Sequence, residues 1–138
     1  MPAPAPLVLI ASDMASIRQA AIGVLKQLHI GGFVEATSLQ AAVQALKAQV
    51  PHLVIADWDM AGNQGHHLLQ VIKSSQPLHN VPVLVLAEGR AENVKAAVEA
   101  GAASIVLKPF SPAALQAKIA TFLPPPAIKS GLGHFERI

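Results

Sequence analysis

The 138-residue chain is long enough for one domain with a single hydrophobic core. Hydrophobic residues make up 52% and charged residues only 13%, a composition that excludes intrinsic disorder. The lack of cysteine excludes a disulfide scaffold, thiol catalysis and zinc–cysteine sites. A net charge of +2 and an aromatic content of 4% argue against a basic, base-stacking surface for nucleic acid.

Neither a membrane span nor a signal peptide is predicted. The longest apolar runs, Pro6–Ala11 and Val81–Ala87, fall far short of the roughly 18 residues that a span requires. The segment Met1–Pro6 alternates Pro and Ala without a positive charge, unlike the basic start of a signal peptide. We therefore expect a cytoplasmic protein in which residues 1–6 form an N-terminal extension.

Short apolar runs alternate along the chain with apolar residues spaced three and four apart, beginning with two strand–helix pairs. The run Leu7–Ala11 is typical of a strand buried on both faces. Helical spacing from Ile17 to Leu28 follows, and Gly31-Gly32 is the expected stop for that helix. Phe33–Ala36 is the second predicted strand, and Ser38 is placed to cap the helix after it.

The second half of the chain continues the alternation. Leu53–Ala56 is predicted as a strand that ends in Asp57, and a helix follows. Val81–Ala87 is the fourth strand, and Gly101 closes the helix after it. Ser104–Leu107 is the fifth strand. The last helix begins with a cap and a proline in its first position, at Ser111 and Pro112.

Five strands alternating with five helices predict an α/β domain. The expected architecture is a doubly wound, flavodoxin-like (βα)5 fold, with a parallel sheet in the order 2-1-3-4-5 and helices on both faces. We place this domain at residues 7–123. Residues 124–138, which begin with three prolines, are expected to form a Pro-rich C-terminal tail or linker.

All three aspartates and one lysine follow predicted strands. Asp13 comes after the first strand, Asp57 and Asp59 after the third, and Lys108 after the fifth. Ligands of open parallel sheets bind beyond the carboxyl ends of the strands. Clustered carboxylates favour a hard cation such as Mg²⁺, and a lysine beside them can pair with an anion. The pattern predicts phosphoryl chemistry with an aspartate as nucleophile.

The motifs at these strand ends closely resemble the receiver domain of two-component response regulators, most of all the single-domain chemotaxis (CheY-like) type. The resemblance spans about residues 7–123 and rests on LVLIASDMASIR, LVIADWDMAGNQG, VPVLVLAEG and GAASIVLKPF. It implies a two-component signalling module whose partners are a histidine kinase or a histidine phosphotransfer protein. Output would be protein–protein interaction, with no enzymatic turnover, nucleic-acid contact or membrane contact by this domain.

The resemblance also implies residue roles. Asp57 would accept the phosphoryl group, and Lys108 would contact it, with Pro109 after a cis peptide bond. A weakly bound Mg²⁺ would be held by Asp13, by Asp57 and by the backbone carbonyl of Asp59, whose side chain we expect to be a spectator. The downstream partner would bind the surface of the fourth helix, fifth strand and fifth helix. Exposed polar positions expected there are Arg90, Glu92, Lys95 and Lys118.

Several positions depart from the family pattern, so the active site is partly degenerate. Ser12 stands where the family usually has a first acidic residue, and Ala61 replaces a common proline. Ala87 stands where the family has the Thr or Ser switch hydroxyl, and Ile105 replaces the aromatic switch residue. These departures leave phosphorylation open and put the usual switch in question.

Two alternatives stay open on the sequence. The first is a pseudo-receiver that binds proteins independently of phosphorylation, which Ser12 and Ala87 favour. The second, less favoured, is a haloacid-dehalogenase-type phosphatase, because Asp57-Trp58-Asp59 matches its DxD core. Such enzymes need further acidic metal ligands downstream, and no aspartate follows Asp59.

Overall fold

The computed structural model describes residues 5–123, which form a five-stranded parallel sheet covered by helices. The strands lie in the order β2-β1-β3-β4-β5, and every neighbouring pair is parallel. This confirms the predicted fold. The strands are β1 (Leu7–Ala11), β2 (Gly32–Ala36), β3 (Leu53–Asp57), β4 (Val83–Glu88) and β5 (Ser104–Lys108).

Each strand is followed by one α-helix. The helices are α1 (Ala15–Gln27), α2 (Leu39–Ala48), α3 (Gln64–Lys73), α4 (Ala91–Glu99) and α5 (Pro112–Phe122). Short 3-10 turns at Ala61–Asn63 and Leu78–Asn80 precede α3 and β4. None of the helices within residues 5–123 is long and apolar enough to cross a membrane. Residues 1–4 of the extension expected at residues 1–6, and the whole tail expected at residues 124–138, lie outside the described residues.

Two hydrophobic cores lie on opposite faces of the sheet because successive strand residues point to opposite sides. On one face, Ile10 and Ile55 pack with Leu25 of α1 and Leu115 of α5. On the other face, residues of the same strands pack with α2, α3 and α4. Each fully buried Leu or Ile contributes roughly 1.5–3 kcal/mol, so the central strands anchor both layers.

The structure refines two predicted boundaries. Helix α1 ends before Gly31-Gly32, and His29 takes the left-handed conformation at φ 61°. The Ile30 N–H bonds the Leu25 carbonyl at 2.8 Å, which buries Ile30 against the core and closes the helix early. Strand β4 begins at Val83, two residues after the predicted start at Val81. The N–H of Val81 closes the preceding 3-10 turn, and Pro82 has no N–H.

Helix starts follow the predictions. The Ser38 and Ser111 side chains accept hydrogen bonds from backbone N–H groups three residues later, at 3.1 Å in both cases. Pro112 is the first residue of α5. Because β1 lies between β2 and β3, the connection after β1 runs towards one edge of the sheet and the connection after β3 runs towards the other. This topology opens a crevice at the carboxyl ends of β1 and β3.

Candidate functional site

Asp57, the last residue of β3, lies at the centre of this crevice and is only 1% exposed. Its Oδ1 accepts hydrogen bonds from Lys108 Nζ at 2.7 Å and from the backbone N–H of Asp59 at 3.0 Å. Its Oδ2 accepts one from the Ser12 hydroxyl at 2.6 Å. Burial of a carboxylate costs free energy unless such donors bind its oxygens. Asp57 is therefore held as an oriented acceptor at the strand end.

Lys108, the last residue of β5, supplies the cation of the site. Its Nζ lies 2.7 Å from Asp57 Oδ1 and 3.1 Å from Asp59 Oδ2, so one ammonium serves two carboxylates. Burial lowers the pKa of Lys108, but hydrogen bonds and charge attraction from Asp57 and Asp59 outweigh it and raise the pKa above its usual value. The lysine is therefore fully charged at neutral pH. The peptide bond to Pro109 is cis, as expected from the resemblance.

Ser12 joins β1 to the site. It is fully buried, and its hydroxyl donates to Asp57 and accepts a bond from the Met14 N–H at 3.0 Å. Its backbone carbonyl accepts a 3.0 Å bond from Arg18, which also pairs with Glu35 of β2 at 3.0 Å. Ser12 is thus a structural partner of Asp57, a contact that its residue type alone did not predict.

Asp13 lies beside Ser12 on the exposed side of the crevice. Its Oδ2 accepts a 3.2 Å hydrogen bond from the backbone N–H of Ala61, in the loop after β3. Asp13 therefore contacts the loop that follows Asp57, and both residues offer carboxylate oxygens. Within residues 5–123, no three His, Asp or Glu side chains form one metal-binding cluster. The oxygen ligands expected here, the carboxylates of Asp13 and Asp57 and the backbone carbonyl of Asp59, are still of the kind that a hard cation such as Mg²⁺ prefers.

The side chain of Asp59 is not a spectator, and that prediction was wrong. Its Oδ2 contacts Lys108 Nζ at 3.1 Å and accepts a 3.1 Å hydrogen bond from the backbone N–H of Glu88. The side chain turns towards the site because an ammonium, Lys108, and an N–H at the end of β4 both lie there. The sequence placed Asp59 on the correct loop but could not give the direction of its side chain.

The start of α3 packs tightly against the end of β3. A Cβ atom on Gly65 would overlap the Asp57 carbonyl oxygen and would lie 2.7 Å from Trp58 Cα. Only glycine allows this approach without displacement of the backbone. Trp58, the single tryptophan of the chain, stacks on His66 with ring centroids 4.9 Å apart. Because the indole lies between the two site aspartates in the sequence, its fluorescence is a suitable probe of the site.

The two positions that depart from the family's switch pattern lie on β4 and β5, on the α4 side of the sheet. Ala87 is fully buried and pairs in register with Leu107 of β5. Ile105 is half-buried and packs against the same core as Ala87 and Ala97. Neither side chain carries a hydrogen-bond donor. The exposure predicted for Arg90, Glu92, Lys95 and Lys118 is confirmed.

The strand order, with aspartates and a lysine at the strand ends, is that of a doubly wound α/β domain. The family model of the response regulator receiver domain matches residues 8–120. The chain is 33% identical over 113 residues to the chemotaxis protein CheY-3 of Vibrio cholerae, covering 81% of this chain and 87% of that protein. The chain therefore belongs to the response regulator receiver family. It is a CheY-like receiver domain of two-component signalling.

Other relatives agree with this membership. The chain is 35% identical over 115 residues to the phosphate regulon transcriptional regulator PhoB of Klebsiella pneumoniae, covering 81% of this chain and 49% of that protein. The structure of CheY4 of Vibrio cholerae superimposes with a TM-score of 0.78 at 22% identity, covering 87% of this chain and all of that one. At that identity the likeness concerns the fold. The Mn²⁺-bound response regulator Rcp1 superimposes with a TM-score of 0.75 at 21% identity, covering 86% of this chain and 95% of that one.

Proposed function

We propose that this domain accepts a phosphoryl group on Asp57 from a histidine kinase or a histidine phosphotransfer protein. The observation that carries the proposal is the position of Asp57, held by Ser12 and Lys108 at the end of β3. One Asp57 oxygen would bond to phosphorus as the bond from phosphorus to the donor nitrogen breaks, and that nitrogen keeps the electron pair. The product is an acyl phosphate on Asp57.

The chain supplies the charge stabilisation that this step needs. Lys108 lies 2.7 Å from Asp57 and faces negative charge that develops on the phosphoryl oxygens. Asp13, Asp57 and the backbone carbonyl of Asp59 would hold Mg²⁺, which supplies further charge neutralisation when bound. The Mn²⁺-bound relative Rcp1 supports a divalent cation in such a domain. Binding is expected to be weak, because Ser12 stands where the resemblance leads us to expect an acid.

The output is expected to be protein binding through α4, β5 and α5, with a non-enzymatic domain acting in the cytoplasm. Lys95 and Lys118 are exposed on this surface. Phosphorylation would alter the surface only modestly, because Ala87 and Ile105 lack the hydroxyl and the ring of the usual switch. The phosphatase alternative is disfavoured because the Asp59 carboxylate, its required acid/base, is bound by Lys108 and by the N–H of Glu88.

A pseudo-receiver is the second candidate, favoured by Ser12 and Ala87. Titration with Mg²⁺ followed by trifluoroberyllate, a phosphoryl mimic, separates the two when Trp58 fluorescence is recorded. A phosphorylatable receiver gives a saturable response that Asp57→Asn abolishes and Asp13→Asn weakens. A native protein that binds neither ligand would overturn the proposed function and favour the pseudo-receiver.

A further inference from the structure

The Asp59 carboxylate contacts two hydrogen-bond donors at the edge of the crevice. Its Oδ2 lies 3.1 Å from Lys108 Nζ and 3.1 Å from the backbone nitrogen of Glu88. These donors come from different strands, β5 and β4, and both point at the same oxygen. The Asp59 carboxylate thus binds them as an external anion would.

One of these donors, Lys108, lies within reach of a group attached to Asp57, and the other ends the strand next to β3. Lys108 Nζ is 2.7 Å from Asp57 Oδ1 while it contacts Asp59, and the Asp59 N–H also donates to Asp57 Oδ1, at 3.0 Å. A phosphoryl group adds three strong acceptor oxygens and further negative charge at this point. These oxygens need donors, and the Asp59 carboxylate already accepts from Lys108, the cation beside Asp57, and from the Glu88 N–H at the neighbouring strand end.

We propose that Asp59 is an internal competitor for the phosphoryl group, a positioning residue whose carboxylate fills part of the phosphoryl pocket of the unmodified domain. The inference rests on the proposed function of Asp57. A phosphoryl group, or a mimic of one, displaces the Asp59 side chain from Lys108 and Glu88. The repulsion between the two anions lowers the affinity of the pocket for the incoming group.

Displacement of Asp59 also has a structural consequence. The bond from the N–H of Glu88 to Asp59 ties the loop after β3 to the end of β4. Glu88 in turn pairs with Arg90 at 3.3 Å, at the start of α4. Release of Asp59 therefore removes this tie between the loop after β3 and the start of the β4–α4 connection, through a backbone group and without a hydroxyl at Ala87.

The test compares the affinity of the Mg²⁺-saturated full chain for trifluoroberyllate in native protein, Asp59→Asn and Asp59→Ala, by calorimetry. Both variants keep the backbone carbonyl that is proposed to bind the metal. Glu99→Gln is the matched control, because Glu99 is an exposed carboxylate on α4. Thermal unfolding verifies that each variant is folded. If the amide of Asp59→Asn makes new hydrogen bonds, Asp59→Ala provides the affinity comparison instead.

We expect Asp59→Asn to bind the mimic at least about five-fold more tightly than the native protein does. This factor corresponds to about 1 kcal/mol, the repulsion between two like unit charges 4 Å apart in water. Glu99→Gln should bind as the native protein does. If the native protein binds the mimic and neither Asp59 variant binds it more tightly, the competitor role is overturned while the proposed function stands. If no protein in the series binds it, both are overturned.

Discussion

The Ser12 hydroxyl donates a 2.6 Å hydrogen bond to Asp57 Oδ2, and both residues are almost completely buried. This bond joins the end of β1 to the end of β3 across the crevice. With Lys108 and the Asp59 N–H on the other oxygen, it satisfies both oxygens of the Asp57 carboxylate. Ser12 thus orients the proposed phosphoacceptor directly.

Ser12→Ala should lower the free energy of unfolding by about 1.5–3 kcal/mol, the contribution of a hydrogen bond to a charged group. The substitution leaves Asp57 Oδ2 buried without its hydroxyl donor. Urea unfolding measures the loss. Ser111→Ala, which removes only an exposed helix cap, should cost about 1 kcal/mol and leave the Mg²⁺ response of Trp58 unchanged. An unfolding free energy of Ser12→Ala equal to the native value would contradict the assigned bond.

The effect of Ser12→Asp on the stability of the protein should change sign when Mg²⁺ is added. Without metal, a second buried carboxylate beside Asp57 destabilises the protein through like-charge repulsion. With Mg²⁺, the added carboxylate supplies another hard oxygen ligand and should tighten metal binding. Thermal unfolding with Mg²⁺ and with a chelator gives the comparison. If Mg²⁺ stabilises Ser12→Asp no more than native protein, Ser12 does not limit metal affinity.

Alkaline pH should weaken the folded state through Lys108. Since folding raises the pKa of this lysine, its stabilising contribution is complete below the unfolded pKa of about 10.4 and is lost as pH rises through the folded pKa. Urea unfolding in metal-free buffer should show Lys108→Met losing less stability than native protein above about pH 10.4. The chain has no Tyr or Cys to obscure this range. The linkage would be refuted if the stability difference between the two proteins stayed constant across this pH range. Lys118→Met, at an exposed lysine, is the control.

Gly65→Ala should destabilise the protein by about 1–3 kcal/mol, the usual cost of overpacking. The new Cβ would collide with the backbone at Asp57 and Trp58, so the change should also reduce the Trp58 response to Mg²⁺. Gly23→Ala is the control, because nothing lies within 4 Å of a Cβ added there in α1. It should stabilise the helix by about 0.5–1 kcal/mol. Equal effects of the two substitutions in urea unfolding would disprove the close approach.

A hydroxyl at position 87 should strengthen the conformational response. Ala87 is buried beside β5 and offers no donor to a phosphoryl group. Ala87→Ser, and Ala87→Thr where its methyl fits, would add a bond worth about 1.5–3 kcal/mol, comparable to typical coupling energies. Amide hydrogen exchange of β5 should change more on trifluoroberyllate binding in Ala87→Ser than in native protein. Ala97→Ser, buried in the same core, should leave the native response unaltered. A native change as large as that of Ala87→Ser would show that coupling takes another route, such as Asp59.

The sequence predicted the parts of the site that depend on strand ends. Asp57 and Lys108 follow apolar runs, and parallel strands bring their carboxyl ends to one edge, so their contact follows from topology. The direction of a loop side chain has no such signal. Asp59 turns towards Lys108 and Ser12 towards Asp57 because donors and acceptors from distant segments meet there. The left-handed His29 was missed for a similar reason, since the burial of Ile30 ends α1 before the glycines.

The most direct test of the central claim is the intact mass of the protein after incubation with Mg²⁺ and a small-molecule phosphodonor such as acetyl phosphate. Native protein and Asp59→Asn should each gain the mass of one phosphoryl group, and Asp57→Asn should gain none. Peptide mapping should place the group on the segment that contains Asp57. A native protein that gains no mass, or an Asp57→Asn protein that gains as much as the native one, would contradict the assignment of Asp57 as the phosphoacceptor.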